Sequence, residues 1–129
     1  MLNDTLANTL SKILNAERRY RSECLIKPTS KVLKKVLEVM RDKGYIGGFV
    51  DINDNRGNVT KVNLIGKINK CNAIKPRFSV MISDFEKYEK RYLPAKGFGM
   101  IIVSTNKGIM TLDEAKEKKI GGRLLAYCY

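Results

Sequence analysis

Between Lys31 and Ile65 the hydrophobic period changes, and that change limits the fold more than any other feature. Val32, Leu33, Val36, Leu37 and Met40 recur at helical spacing. The spacing predicts a helix that buries this stripe and leaves Lys31, Lys34, Lys35 and Arg41 outside. Thr29 or Ser30 stands where a helix cap belongs, and Gly44 stands where helices stop. Tyr45–Asp51 and Asn58–Ile65 follow as two antiparallel strands. The segment DNRGN between them supplies the Asn and Gly that tight hairpins require. A helix running straight into a hairpin predicts an α+β fold.

The flanking segments extend that pattern. Leu6, Leu10, Ile13 and Leu14 share one helical face, with Asn3 or Asp4 placed to cap its start, and Cys24-Leu25-Ile26 reads as a short strand ended by Pro28. From Gly66 onward the character shifts. KINKCNAIKPRFS, residues 67 to 79, carries four cations and no carboxylate. Polar and broken by proline, it reads as a loop entering a strand at Arg77–Met81. Ser83 with Glu86 has capping-box spacing, and Phe85, Tyr88 and Tyr92 follow on one helical face up to Leu93 and Pro94. Met100–Val103 reads as a buried strand. Thr111 with Glu114 is a second capping box, with Asp113 and Glu114 in the first turn and Lys116, Lys118 and Lys119 in the last, as the helix dipole favours. Gly121-Gly122 turns the chain into a final strand, Leu124–Tyr129, whose aromatic end is expected to be docked.

Charge narrows the function. The 129 residues hold 25 Lys plus Arg against 13 Asp plus Glu, a net +12. Twelve basic and seven acidic residues precede Gly66, and thirteen and six follow it. The excess therefore belongs to both halves and favours a polyanionic partner, nucleic acid first and an anionic membrane surface second. Histidine is absent, which removes the commonest neutral-pH base and metal ligand. Cys24, Cys71 and Cys128 are far apart in sequence without a CxxC pair, so they read as reduced filler. No secretory leader or membrane span is expected.

Catalytic motifs fail on inspection. The glycines of GFG, residues 97 to 99, precede a strand instead of opening a helix, and the third position of a dinucleotide fingerprint falls on Ile102. No strained Gly-x-Ser-x-Gly turn occurs, and the carboxylates Asp113 and Glu114 are explained by the cap. Neither an enzyme nor a cofactor is expected. Ser104, Thr105 and Asn106 offer short donor–acceptor side chains and Lys107 adds charge, groups suited to ribose, phosphate and splayed bases of RNA. Arg77 and Phe78, near Lys75, set a cation beside a ring. Two readings stay open here: an RNA contact, or an ordinary hairpin turn with Phe78 in the core.

Over nearly its whole length the chain resembles the small-subunit ribosomal protein eight family, in its eukaryotic form called protein fifteen-a. The likeness rests on NDTLANTLSKILNAE, KPTSKVLKKVLEVMRDKGYIG, NLIGKINKCNAIKPRF, KGFGMIIVSTNKGIMTLDEA and GGRLLAYCY, in that order. INKCNAIKPRF is similar to the eukaryotic and archaeal branch. The resemblance implies two small, tightly packed α/β halves, residues 1–66 and 67–129, each with a short mixed or antiparallel sheet and helices. It implies a primary binder of the central domain of small-subunit rRNA in the cytoplasmic ribosome, beside neighbouring small-subunit proteins, with no membrane or small-molecule substrate. Its signature loop falls on Ser104, Thr105, Asn106, Lys107 and Gly108, where the family usually has Ser at the third position. Thr5, Asn8, Thr29, Ser30 and Lys31 match backbone contacts of the amino-terminal half. Arg123, where bacterial members tend to have Glu, adds charge near the RNA face. The alternative from another class is a basic interaction module outside the ribosome, with acidic proteins as partners.

Overall fold

The computed structural model describes residues 5–26, 31–54, 57–75, 77–95 and 98–129. The chain divides into two compact units, Met1–Asn69 and Lys70–Tyr129. Each combines helices with an antiparallel sheet, so the fold is α+β.

Unit 1 runs α1 (Thr5–Arg18), β1 (Glu23–Ile26), α2 (Lys31–Asp42), β2 (Ile46–Asp54) and β3 (Gly57–Leu64), with the strands ordered β1-β3-β2. Its interior is made by Leu6, Leu10, Ile13 and Ala16 from α1, Leu33, Val36, Leu37 and Met40 from α2, and Ile26, Ile46, Val62 and Leu64 from the sheet. Leu14 is only half-buried. Val32 departs from expectation: it is 36% exposed, because the i, i+3, i+4, i+7 stripe is complete from Leu33 onward and Val32 lies at its margin in the first turn. The hairpin pairs Asp54 with Gly57, and a bulge at Gly47 shifts its far end. Pro28, the caps at Asn3 or Asp4 and at Thr29 or Ser30, and Asn55 and Arg56 of the expected turn lie outside the described residues.

Asp51 ties α2 to this sheet. Its carboxylate accepts from Lys34 Nζ at 2.8 Å and from Thr60 Oγ1, on the paired strand, at 2.8 Å. The Lys34 hydrogen bond, then that from Thr60, holds the Asp51 carboxyl below the usual aspartate value. A lowered folded-state pKa contributes stability above the unfolded value and loses it as pH falls through the folded one. Asp51→Asn is therefore expected to flatten the acid limb of thermal stability below about pH 4. Melting temperatures of the two proteins that fall in parallel through that range would disprove it.

Unit 2 runs β4 (Cys71–Ala73), β5 (Ser79–Val80), a single 3-10 turn (Ile82–Asp84), α3 (Phe85–Tyr92), β6 (Met100–Thr105), β7 (Gly108–Thr111), α4 (Leu112–Glu117) and β8 (Gly122–Cys128). The sheet order is β4-β8-β6-β7, with β5 also on β8. One core gathers Ile74, Val80, Phe85, Ile101, Val103, Met110, Leu112, Ala115, Leu124 and Tyr127, and Phe78, Tyr88, Tyr92 and Tyr129 pack against it. The aromatic end is docked as expected. Tyr129 exchanges two 2.9 Å backbone hydrogen bonds with Lys70, and its ring stacks on Tyr127.

Three local expectations are corrected here. The stretch read as a loop contains β4, whose buried Cys71 pairs with Cys128 across the sheet, while the strand expected at Arg77–Met81 shrinks to Ser79–Val80. The Ser83–Glu86 box does not form. A 3-10 turn occupies that position, Asp84 N donates to Met81 O at 2.9 Å, and α3 begins with no side-chain cap. Finally, α4 stops at Glu117 and Lys119 adopts φ 55, so only Lys116 lies in the last turn. The Thr111 cap is present, its Oγ1 accepting from Glu114 N at 3.3 Å.

Candidate nucleic-acid interface

The Ser104–Gly108 segment is a hairpin turn. Thr105 pairs with Gly108, leaving Asn106 and Lys107 at the tip. Neither tip residue has positive φ; the left-handed step falls on Gly108, at φ 117. Open space surrounds the position of a Gly108 Cβ, so backbone conformation alone calls for glycine there. Thr105 fixes the turn from inside. Its Oγ1 donates to Gly108 O at 2.8 Å and accepts from Lys107 N at 3.2 Å. The hydroxyl thus holds the loop in shape, and the tip presents the exposed Asn106 amide and Lys107 ammonium. Asn106 has no side-chain hydrogen-bond partner among the described residues.

The base of the turn is set by the sheet register. Arg123 on β8 lies between Ser79 on β5 and Ser104 on β6. Paired residues of adjacent strands project on the same side, so these three side chains form one row. Two glycines hold the row together. A Cβ on Gly122 would lie 2.4 Å from Ser104 O and 3.0 Å from Thr105 Cγ2, and one on Gly121 would lie 2.5 Å from Val80 O. Only bare backbone fits there. The result is a shallow hollow floored by Gly121 and Gly122 and rimmed by Ser79, Ser104, Asn106 and Arg123. No acidic side chain pairs with Arg123 or Lys107 among the described residues. Donors and positive charge on a hollow of fixed backbone suit phosphate and ribose oxygens.

The other expected residues are placed differently. Lys75 and Arg77 are exposed between β4 and β5. Phe78 is half-buried against the core, its ring tilted on Tyr88 at 5.6 Å and lying beneath the Arg91 guanidinium at 5.6 Å. It packs, and it is not part of the hollow. Its carbonyl accepts from Leu124 N at 3.0 Å, which anchors β8 next to Arg123. Thr5 and Asn8 begin α1 and Lys31 begins α2, all in unit 1; Thr29 and Ser30 lie outside the described residues. Ser79 and the Gly121-Gly122 doublet are missing from the sequence-based site. The doublet is the available signal, although in sequence it marks only a turn.

Among the described residues there is no His, Cys, Asp and Glu cluster able to hold a metal ion, and no helix is long and apolar enough to cross a membrane. A strongly basic α+β chain with a rigid, polar, cation-rimmed hollow has the build of a binding protein for polyanions. The family model described as Ribosomal protein S8 matches residues 4–129, and the chain belongs to that family. It is a small-subunit ribosomal protein that binds rRNA, a structural constituent of the ribosome and not an enzyme.

Proposed function

We propose that the β6–β7 turn and the hollow beneath it form the rRNA-binding site of this protein. We further propose that the protein acts as a primary binder of the central domain of small-subunit rRNA in the cytoplasmic ribosome, in the eukaryotic form of the family. INKCNAIKPRF supports the choice of branch. The row Ser79–Arg123–Ser104 carries the site assignment, because it sets a cation between two hydroxyls on a backbone that cannot spread. Lys75, Arg77 and Lys31, and Thr5, Asn8, Thr29 and Ser30, are the supporting backbone contacts in this reading, and neighbouring small-subunit proteins are the remaining partners.

Specific and general binding separate in one filter-binding experiment. Ser104→Ala with Thr105→Ala is expected to weaken binding to small-subunit rRNA by roughly ten- to a hundredfold, the worth of two hydrogen bonds. Binding to an unrelated RNA should fall far less. Thr105→Ser, which keeps the turn's hydroxyl, should bind nearly as well as the parent. Removing Lys107 or Lys75 should lower the slope of log affinity on log salt by about 0.7 to 0.9 each. Equal losses on both RNAs would defeat the site assignment, and an unchanged slope would take those lysines off the phosphate contacts.

A further inference from the structure

The end of α1 carries a feature that neither the core nor the turn accounts for. Tyr20 N donates to Glu17 O at 3.0 Å and Arg21 N to Ala16 O at 3.0 Å, the paired bonds that close a helix through one left-handed residue. That residue is Tyr20, at φ 57. The end of α2 uses the same pair of bonds, Gly44 N to Arg41 O and Tyr45 N to Met40 O, and there the left-handed position is glycine. Tyrosine in this conformation costs stability, because its Cβ crowds the following carbonyl. Burial gives nothing back, since Tyr20 is 95% exposed. Among the described residues its side chain has no hydrogen-bond, ion-pair or ring partner.

Cations neighbour it along the chain. Arg18, Arg19 and Arg21 flank it in sequence, and Arg19 and Arg21 line a hollow together with Lys12, Asn15, Ala16, Glu23, Cys24 and Leu25. Burial pushes the Cys24 thiol up while Lys12 and Arg21 pull it down, as two charges converging on one spot must. The nearby acids are committed elsewhere. Glu17 accepts from Gly66 N and Ile68 N at 3.3 and 3.1 Å, and Glu23 pairs with Lys61 at 2.9 Å. Cations near a helix carboxyl end are favoured by its dipole, which accounts for Arg18 but leaves the strained, solvated ring unexplained.

We infer that Tyr20, with Arg19, Arg21 and Lys12, is a second RNA-binding site, one that takes an unpaired nucleotide with its base on the phenol ring and its phosphates on the cations. The inference rests on the RNA-binding reading above and adds a contact in unit 1. A planar ring held clear of the surface offers a base a stacking partner, and a paired duplex shows no free π-face to use it. An acidic peptide would need only the cations, and a lipid surface would need more apolar area than Tyr20 and Leu25 supply.

The full chain contains no tryptophan, so Tyr20→Trp introduces a single fluorophore at the site. On binding a short single-stranded oligoadenylate its emission should be quenched and shielded from acrylamide, whereas an RNA duplex should leave it accessible. Tyr20→Gly should raise the melting temperature while weakening single-strand binding roughly tenfold. Tyr20→Phe should bind as the parent does. Unchanged affinity in Tyr20→Gly, acrylamide access undiminished in the bound state, or equal dependence on Tyr20 in binding to anionic lipid vesicles would each overturn the inference. The Ser104→Ala, Thr105→Ala protein keeps the two sites apart. If it binds rRNA normally the turn assignment fails, while the oligoadenylate result still decides Tyr20.

Discussion

Phe85→Ala is expected to cost about 3 to 5 kcal/mol, the usual loss when a buried phenylalanine is truncated. That is a large share of a domain's whole stability, about 5 to 15 kcal/mol. Phe85 is fully buried and opens α3, where no side-chain cap supports the helix start. Its ring shares the core with Val80, Ile101 and Tyr127, so the void opens between α3 and the sheet. Part of the cost is the lost transfer energy and part is the cavity, which a sheet held on several strands collapses poorly. Urea unfolding should show a lower midpoint with an unchanged slope. A shift worth less than about 1 kcal/mol would mean that the interior of unit 2 repacks far more freely than its burial implies.

Gly122→Ala comes second and acts on the binding site itself. The added methyl would lie 2.4 Å from Ser104 O, a backbone atom bound into the sheet. Either β6 and β8 separate locally or β8 shifts; both move Ser104 and Arg123 out of their common row. Overpacking of this kind costs about 1 to 3 kcal/mol. Binding to small-subunit rRNA should weaken with it, since a misplaced donor loses a directional contact. Gly44→Ala is the matching control. It strains the left-handed end of α2, at φ 82, and has no neighbour to push. It should lower the melting temperature and leave affinity alone. If Gly122→Ala melts lower yet binds rRNA like the parent, the hollow does not hold the RNA.

What the sequence displayed well was local. The Leu33–Met40 stripe, the hairpin that follows it and the Thr111 cap each depend on residues a few positions apart, and each is present. Pairings between distant segments stayed hidden. β4 looks like loop because the segment around it is rich in Lys and Asn and broken by Pro76, and its partner β8 lies near the other end of the unit. The row of Ser79, Arg123 and Ser104 is unreadable for the same reason, since three segments contribute one residue each. The missing Ser83 box shows a limit of another kind. Spacing suggests a cap, but a 3-10 turn forms there instead, with Asp84 N on Met81 O and Phe85 N on Ile82 O. Tyr20 gave no glycine signal for a left-handed helix end, so only the backbone reveals it.

The central place of β8 carries a consequence for a chain that grows from its amino end. In unit 1 both β1 and β2 pair with β3, so its sheet can close once β3 has emerged. In unit 2, β4, β5 and β6 all wait for the same late strand, and until it arrives β6 has only β7 beside it. Nascent protein therefore passes through a stage with one finished half and one half with naked strand edges, open to association with other chains. Prompt capture by RNA or a chaperone would matter most in that interval.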